Sequence, residues 1–266
     1  MMVDLAKHRI QGPQDSFYIP DFVTQAEEEY LVRKITESPR HKWKYLANRR
    51  LQLLGGEITS KNTLFPQEMP PFIKAYPNII ERLQSTGAFR SSPHGLPNHV
   101  ILNEYLPGQG IMPHEDGPSY HPVVATISLG SHAVFHYYNY KSEDALATSE
   151  SSNQSSEAGR VVNPVPILSV LLEPRSVIIT TSSLYTSHLH GIQELHEDII
   201  VPTSAEDGQI PLVAGLDVPI ANWHMLTGEN ERRIVQDGGT LRRGTRYSLT
   251  CRDVEKVAGG TTFLRP

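Results

Sequence analysis

Apolar positions in this chain fall mostly in short alternating or continuous runs bounded by glycine, proline and serine; only near the N-terminus do they follow a helical stripe. Thr24 with Glu27 three residues on makes a capping box, and Ala26, Tyr30, Leu31 and Ile35 then share one face. The spacing predicts a helix over residues 25–37 that Pro39 stops. Residues 17–22, FYIPDF, predict a short strand broken by Pro20, and residues 72–83 a short helix interrupted at Pro77. From residue 99 onward the runs are strand-like: 99–105, 111–112, 123–129, 133–138, 167–172, 176–181 and 245–251. Gly130-Ser131-His132 reads as a tight hairpin between VVATISL and AVFHYY, and the runs flanking Pro174 read as a second strand pair. No helical repeat is expected after residue 85.

Two stretches interrupt this pattern. Residues 141–165 begin with a serine-rich, acidic segment poor in apolar groups, and residues 197–241 are charged and punctuated by proline and glycine. Short strands, many turns and two polar insertions describe a mainly β protein, a double-stranded β-helix (jelly roll), with its N-terminal helical extension packed outside. The expected organisation is a flexible arm over 1–16, an N-terminal extension over 17–98, a core over 99–252 with insertions at 141–165 and 197–241, and a tail over 253–266.

Composition adds limits. The 266 residues carry a formal charge of −5, which does not advertise a nucleic-acid binder; local patches matter more than the sum. Cys251 is the single cysteine, so no internal disulfide forms and a reducing compartment, cytoplasm and nucleus, is expected. The N-terminus lacks the apolar core of a signal peptide and no run approaches a membrane span, so no membrane association is expected. A monomer is expected.

The stretch LNEYLPGQGIMPHED, residues 102–116, carries the sharpest chemistry. Successive strand side chains point to opposite faces, so His114 and Asp116 face one way and Glu115 the other. A second triplet, His196-Glu197-Asp198, sits among acids with only His224 downstream, whereas the first is followed by His188 and His190, either of which offers a third ligand. Two imidazoles and one carboxylate form the facial triad of non-haem Fe(II) oxygenases, although zinc accepts the same donors. Arg246 and Arg252 are an even number of residues apart on the last strand-like run, with Ser248 and Thr250 between them. Two arginine forks on one face suit a ligand with carboxylates.

Residues 40–50 are the most basic segment, with Arg40, Lys42, Lys44, Arg49 and Arg50 interleaved with Trp43 and Tyr45. Cations attract phosphate and rings stack on bases. The competing reading is a solvated strand edge whose aromatic rings pack inward.

Asn103-x-Tyr105, His114-x-Asp116, His190-Gly191-Ile192 and Arg246-x-Ser248-x-Thr250-x-Arg252, in this order, resemble the AlkB family of Fe(II)- and 2-oxoglutarate-dependent dioxygenases. The resemblance spans roughly residues 17–252 apart from the two insertions. It implies Fe(II) on His114, Asp116 and His190, with His188 left out, and 2-oxoglutarate with O2 as co-substrate. Arg252 would meet the metal-chelating end of the 2-oxo acid, and Arg246, with Tyr105 and Asn103, its distal carboxylate. Ser248, also implied to bind the cofactor, stands where the family usually has Asn, which would shorten one hydrogen bond to the cofactor or replace it by water; Gly117 stands where several of its demethylases have an acid. No catalytic side chain is implied beyond the metal ligands. The implied activity is oxidative removal of alkyl (methyl) groups from RNA or DNA. The implied partner is a single-stranded or flipped-out nucleic acid, RNA ahead of DNA, bound beneath a lid that residues 40–56 would form. The alternatives are the same chemistry on a protein or small molecule, and a nucleic-acid-binding regulatory protein with little turnover.

Overall fold

The computed structural model describes residues 3–12, 15–141, 160–205 and 208–259. The N-terminal part runs β1 (Ser16–Ile19), α1 (Gln25–Thr36), β2 (Lys44–Leu46), β3 (Arg49–Leu54), β4 (Gly56–Ile58), β5 (Thr63–Pro66), α2 (Pro71–Lys74) and α3 (Ile79–Ser85). It continues with β6 (His99–Tyr105), β7 (Ile111–His114), β8 (Tyr120–Leu129), β9 (Ala133–Tyr138), β10 (Leu168–Leu172), β11 (Val177–Thr181), α4 (Ser182–Thr186) and β12 (Leu189–Ile192). The last part comprises β13 (Glu197–Ala205), β14 (Gly208–Val213), β15 (Val218–Pro219), α5 (Glu229–Asp237), β16 (Gly239–Arg242), β17 (Arg246–Val254) and β18 (Lys256–Val257).

The large sheet has seven strands in the order β1-β11-β8-β17-β6-β3-β2, and a four-stranded sheet, β10-β9-β12-β7, faces it. Tyr137 on β9 meets Thr180 on β11 across the gap, hydroxyl to hydroxyl at 2.5 Å. This is the expected mainly β jelly roll. On β17, Tyr247, Leu249 and Cys251 point outward into an apolar cluster with Leu31 and Ile35 of α1, while Arg246, Ser248, Thr250 and Arg252 line the space between the sheets. The period of two therefore puts apolar groups under the helix and polar groups at the site. Burying Leu31 and Ile35 completely contributes roughly 1.5–3 kcal/mol each. The capping box forms as expected, with Thr24 Oγ1 accepting from Glu27 N and Glu27 Oε2 from Thr24 N.

The two expected hairpins do not exist. β8 lies in the large sheet and β9 in the small one, so Gly130-Ser131-His132 turns a corner between sheets; β10 and β11 are divided across Pro174 in the same way. The N-terminal extension is not merely packed outside, since β1 pairs with β11 and β3 with β6 at opposite parts of the large sheet. Nor is the expected arm loose throughout: Leu5–His8 form a 3-10 turn and Ile10 is buried. Residues 197–241, expected as a polar insertion with no elements assigned, hold most of a sheet in the order β15-β14-β13-β16 and the helix α5. In the tail, Asp253 is buried and β18 pairs in parallel with β5. Most of the serine-rich insertion, residues 142–159, lies outside the described residues; Tyr140 and Val162 form a β-bridge at its base.

Candidate metal and cofactor site

β7 and β12 are antiparallel neighbours, and their register sets His114 opposite His190. The rings lie 4.4 Å apart between centroids. Asp116, just past β7, completes a cluster in which one ligand atom from each residue lies within 4.8 Å of the others. His114 Nδ1 is 2.8 Å from the Met112 carbonyl oxygen; a carbonyl only accepts, so Nδ1 carries the proton and Nε2 is left to bind a metal. Phe135 stacks on His190 at 5.4 Å and fixes the other ring.

Burial pushes His190 down to about 3 and also lowers His114, so both imidazoles are neutral at ordinary pH, as metal ligation requires. Burial works against an ionised Asp116, but the Arg252 guanidinium, by its charge and its hydrogen bond, holds the carboxyl below its usual range. Arg252 Nη2 hydrogen-bonds Asp116 Oδ1 directly. His188 turns away, its Nδ1 donating to the Ser183 carbonyl at 2.8 Å.

A cavity of about 100 Å³ opens beside the cluster, walled by Ile101, Ile111, Phe135 and Ile192 and carrying Arg49, Arg246 and Arg252. Among the described residues no acidic side chain lines it. Arg246 and Arg252 are 3% and 5% exposed. Arg246 Nη2 donates to Ser128 Oγ at 2.8 Å, yet Arg246 Nε, Arg252 Nε and Nη1, and Asp116 Oδ2 are buried without a hydrogen-bond partner. Desolvation brings Arg246 down to about 10, which still leaves it charged at neutral pH. Buried N–H groups of two cations without acceptors are costly. Carboxylate oxygens beside the arginines and a metal on Asp116 would satisfy them, so these residues fit Fe(II) with a 2-oxo diacid. Tyr105 lies under Arg246, its ring centroid 5.6 Å from the guanidinium carbon. Asn103 is held by its own neighbours, receiving Arg49 Nε at 3.1 Å and reaching Ser248 Oγ at 3.4 Å.

The 2OG-Fe(II) oxygenase superfamily matches residues 15–252. The chain belongs to this superfamily. Among curated proteins, this oxygenase is 34% identical over 268 residues, 99% of its own length and 96% of the relative's, to the probable RNA/DNA demethylase ALKBH6 of Danio rerio. It is 27% identical over 199 residues, 69% of its own length and 54% of the relative's, to the alkylated DNA repair protein ALKBH8 homolog of Arabidopsis thaliana. The solved structure of OsALKBH1 aligns with 91% of this chain and 100% of its own at 14% identity and a TM-score of 0.49.

Other residues of the oxygenase fall into place around this centre. The second triplet is structural: Asp198 takes a two-pronged bond from Arg243, at 2.7 Å from Nε and 2.6 Å from Nη2, and is met by His132 at 3.1 Å. The basic segment divides by strand parity. Arg50 grips Glu104 through two 2.6 Å bonds on the outer face of the sheet and covers the ring of buried Trp43 at 4.2 Å. Trp43 is thereby buried away from the surface set expected to meet a nucleic acid, while Arg50 stays partly exposed in its ion pair. Arg49 faces the other way, into the cavity. Arg40, Lys42, Lys44 and Tyr45 remain exposed, Tyr45 at 66%.

His99 and Tyr120 were not anticipated. His99, buried with both ring nitrogens unpartnered and pushed by burial to about 4, lies 5.9 Å from the Tyr120 ring, over which Arg252 sits at 4.9 Å. The parity of His99 with Asn103 and Tyr105 on β6 is a sequence signal that could have found it; Tyr120 lies ahead of the recognised apolar run and carries none.

Proposed function

We propose that this oxygenase removes alkyl groups, chiefly methyl, from RNA or DNA, binding the nucleic acid single-stranded or with the target base flipped out. The observation that carries the chemistry is the convergence of His114, Asp116 and His190 beside a cavity into which unsatisfied Arg246 and Arg252 donors project. Bound Fe(II) and 2-oxoglutarate, with O2 as co-substrate, supply an oxidation that breaks a substrate C–H bond while the keto acid becomes succinate and CO2. An N-methyl group hydroxylated in this way leaves as formaldehyde.

The chain's own part is placement. His114 and His190 present neutral nitrogens, Asp116 an anionic oxygen, and Arg252 holds that carboxylate in position. Arg246, anchored on Ser128, offers its remaining N–H groups to the distal carboxylate of the diacid. The apolar wall keeps water from the reacting centre. No side chain needs to act as a general acid or base. A nucleic-acid substrate is supported by the name of the Danio rerio relative and by exposed Arg40, Lys42, Lys44 and Tyr45, which adjoin or belong to the hairpin whose inner strand lines the cavity. A base held in a duplex must leave the stack to reach such a cavity. The reading places RNA ahead of DNA, a monomer as the working unit, and cytoplasm and nucleus as its compartments.

The test is aerobic incubation with Fe(II), 2-oxoglutarate and matched panels of methylated RNA and DNA oligonucleotides, following methyl loss by mass spectrometry beside succinate. A second reading, the same chemistry on a protein or small molecule, is favoured by Gly117 at the position after Asp116, by the burial of Trp43 and by the engagement of Arg50 with Glu104. Succinate formed with no demethylated oligonucleotide in either panel would select it.

A further inference from the structure

Three arginines reach the cavity, and one of them comes from outside the jelly-roll strands that carry the triad. β3 pairs with β6 so that Leu51 faces Asn103 and Arg50 faces Glu104; one step further, Arg49 falls opposite Tyr105. On the other side of β6, Tyr105 is paired with Arg246. Arg49, Tyr105 and Arg246 therefore form a single cross-strand row on one face, the two arginines two strand spacings apart, about 10 Å between backbones. That span lets both side chains lean over Tyr105. Burial raises the Tyr105 phenol, and the cations opposing it are Arg246, then Arg49, then Arg252.

Arg49 spends Nε on Asn103, and among the described residues no carboxylate pairs with it, whereas neighbouring Arg50 is fully engaged by Glu104. β3 itself is anchored on β6, but the outer strand of the hairpin is held lightly. β2 is the edge strand and pairs only with β3. Tyr45 and Leu46 on it are exposed, and the tip touches the rest of the chain through Asn48 and Glu194.

We infer that Arg49 closes the distal end of the cofactor pocket: it meets the far carboxylate of the 2-oxo diacid together with Arg246, so that a bound cofactor clamps the β2–β3 hairpin over the cavity. The inference rests on the cofactor reading above and adds a direction of coupling. A carboxylate has two oxygens and accepts from more than one fork; here one fork belongs to the core and the other to the edge hairpin. The cofactor then acts as a cross-link between them, and substrate meets a hairpin already set in place.

The experiment is hydrogen exchange on the full chain loaded with Mn(II), comparing 2-oxoglutarate with 2-oxobutyrate, which keeps the chelating end and lacks the distal carboxylate, alongside calorimetric titration of both acids. With 2-oxoglutarate, amides of residues 44–54 are expected to exchange about five- to tenfold more slowly, and saturating 2-oxobutyrate is expected to leave them unchanged. Arg49→Ala should remove that protection and weaken 2-oxoglutarate binding about tenfold, with Arg49→Lys between it and the wild type. Wild-type protection by the two acids needs no variant, so an unstable Arg49→Ala protein does not spoil the test. Equal protection by both acids overturns the inference. So does an Arg49→Ala protein that binds 2-oxoglutarate within about twofold of wild type while losing affinity for an unmodified oligonucleotide, which would assign Arg49 to a substrate phosphate. Absence of any 2-oxoglutarate binding by the wild type would remove the cofactor reading itself, and this inference with it.

Discussion

Arg252 on β17 hydrogen-bonds Asp116, the carboxylate of the candidate metal triad, so one guanidinium serves the metal ligand as well as the pocket beside it. Groups that orient a ligand typically account for 10–100-fold in metal affinity. Arg252→Ala is therefore expected to weaken Fe(II) binding by about that factor and to weaken 2-oxoglutarate binding too. Arg252→Lys, which keeps the charge without the fork, should fall between. Anaerobic Fe(II) titration checks it, and a variant that binds iron within twofold of wild type removes Arg252 from the support of Asp116.

Arg246 makes the opposite prediction. Its anchor is Ser128, it contacts no metal ligand, and it stands at the far end of β17 from Arg252. Arg246→Met should leave Fe(II) affinity close to wild type while raising the Kd for 2-oxoglutarate by about 100-fold, two charge-assisted bonds of roughly 1.5 kcal/mol each. Binding of 2-oxobutyrate should barely change. A parallel loss for both acids would show that the substitution disturbs the pocket as a whole.

Much of this centre is legible in the chain because it depends on parity. His114 and Asp116 alternate past Glu115, and Arg246 to Arg252 alternate with Tyr247, Leu249 and Cys251; a period of two needs no knowledge of the partner strand. Pairing is different. Gly130-Ser131-His132 supports a hairpin or a corner equally well, and only the opposite sheet decides between them. The sheet over residues 197–242 was hidden for another reason: Pro202 and Pro211 face each other inside β13 and β14, where proline normally argues against a strand. In α5 the sequence ENERRIVQD buries only Val235, too little for an apolar stripe. The burial of Trp43 beside exposed Tyr45 was not legible because composition does not say which ring packs inward.

Asp198 marks the contrast between the triad and its look-alike. Its carboxyl is opposed by burial but held below the usual range by Arg243 and His132. A carboxyl lowered in the folded state stabilises above the unfolded value of about 3.9, and that contribution is lost as pH falls through the folded value. Asp198→Asn should cost about 3–5 kcal/mol at neutral pH by leaving Arg243 buried without its anion. The gap from wild type should shrink in acid, and the stoichiometry of bound metal should not change. Urea unfolding from neutral to acidic pH, with metal analysis at neutral pH, checks both parts. A lost metal equivalent would restore His196-Glu197-Asp198 as a binding site.

Trp43 and Tyr45 sit two residues apart in the basic segment and should separate folding from substrate binding. Trp43 is buried in the cluster under α1, so Trp43→Ala should destabilise the protein by about 3–5 kcal/mol, whatever it binds. Tyr45 is exposed on an edge strand, and Tyr45→Ala should stay within about 0.5 kcal/mol of wild-type stability. If the hairpin carries a stacked base, that same substitution weakens binding of a single-stranded oligonucleotide by about 1–3 kcal/mol. Lys44→Gln should then lower the salt slope by about one unit, since it removes a charge without removing a ring. Fluorescence anisotropy at several salt concentrations reads both. Unchanged affinity and slope in both variants would mean that the outward face of the hairpin meets no nucleic acid; Arg49 and Leu51 would then define its work from the inner face, and the protein or small-molecule substrate would become the better reading.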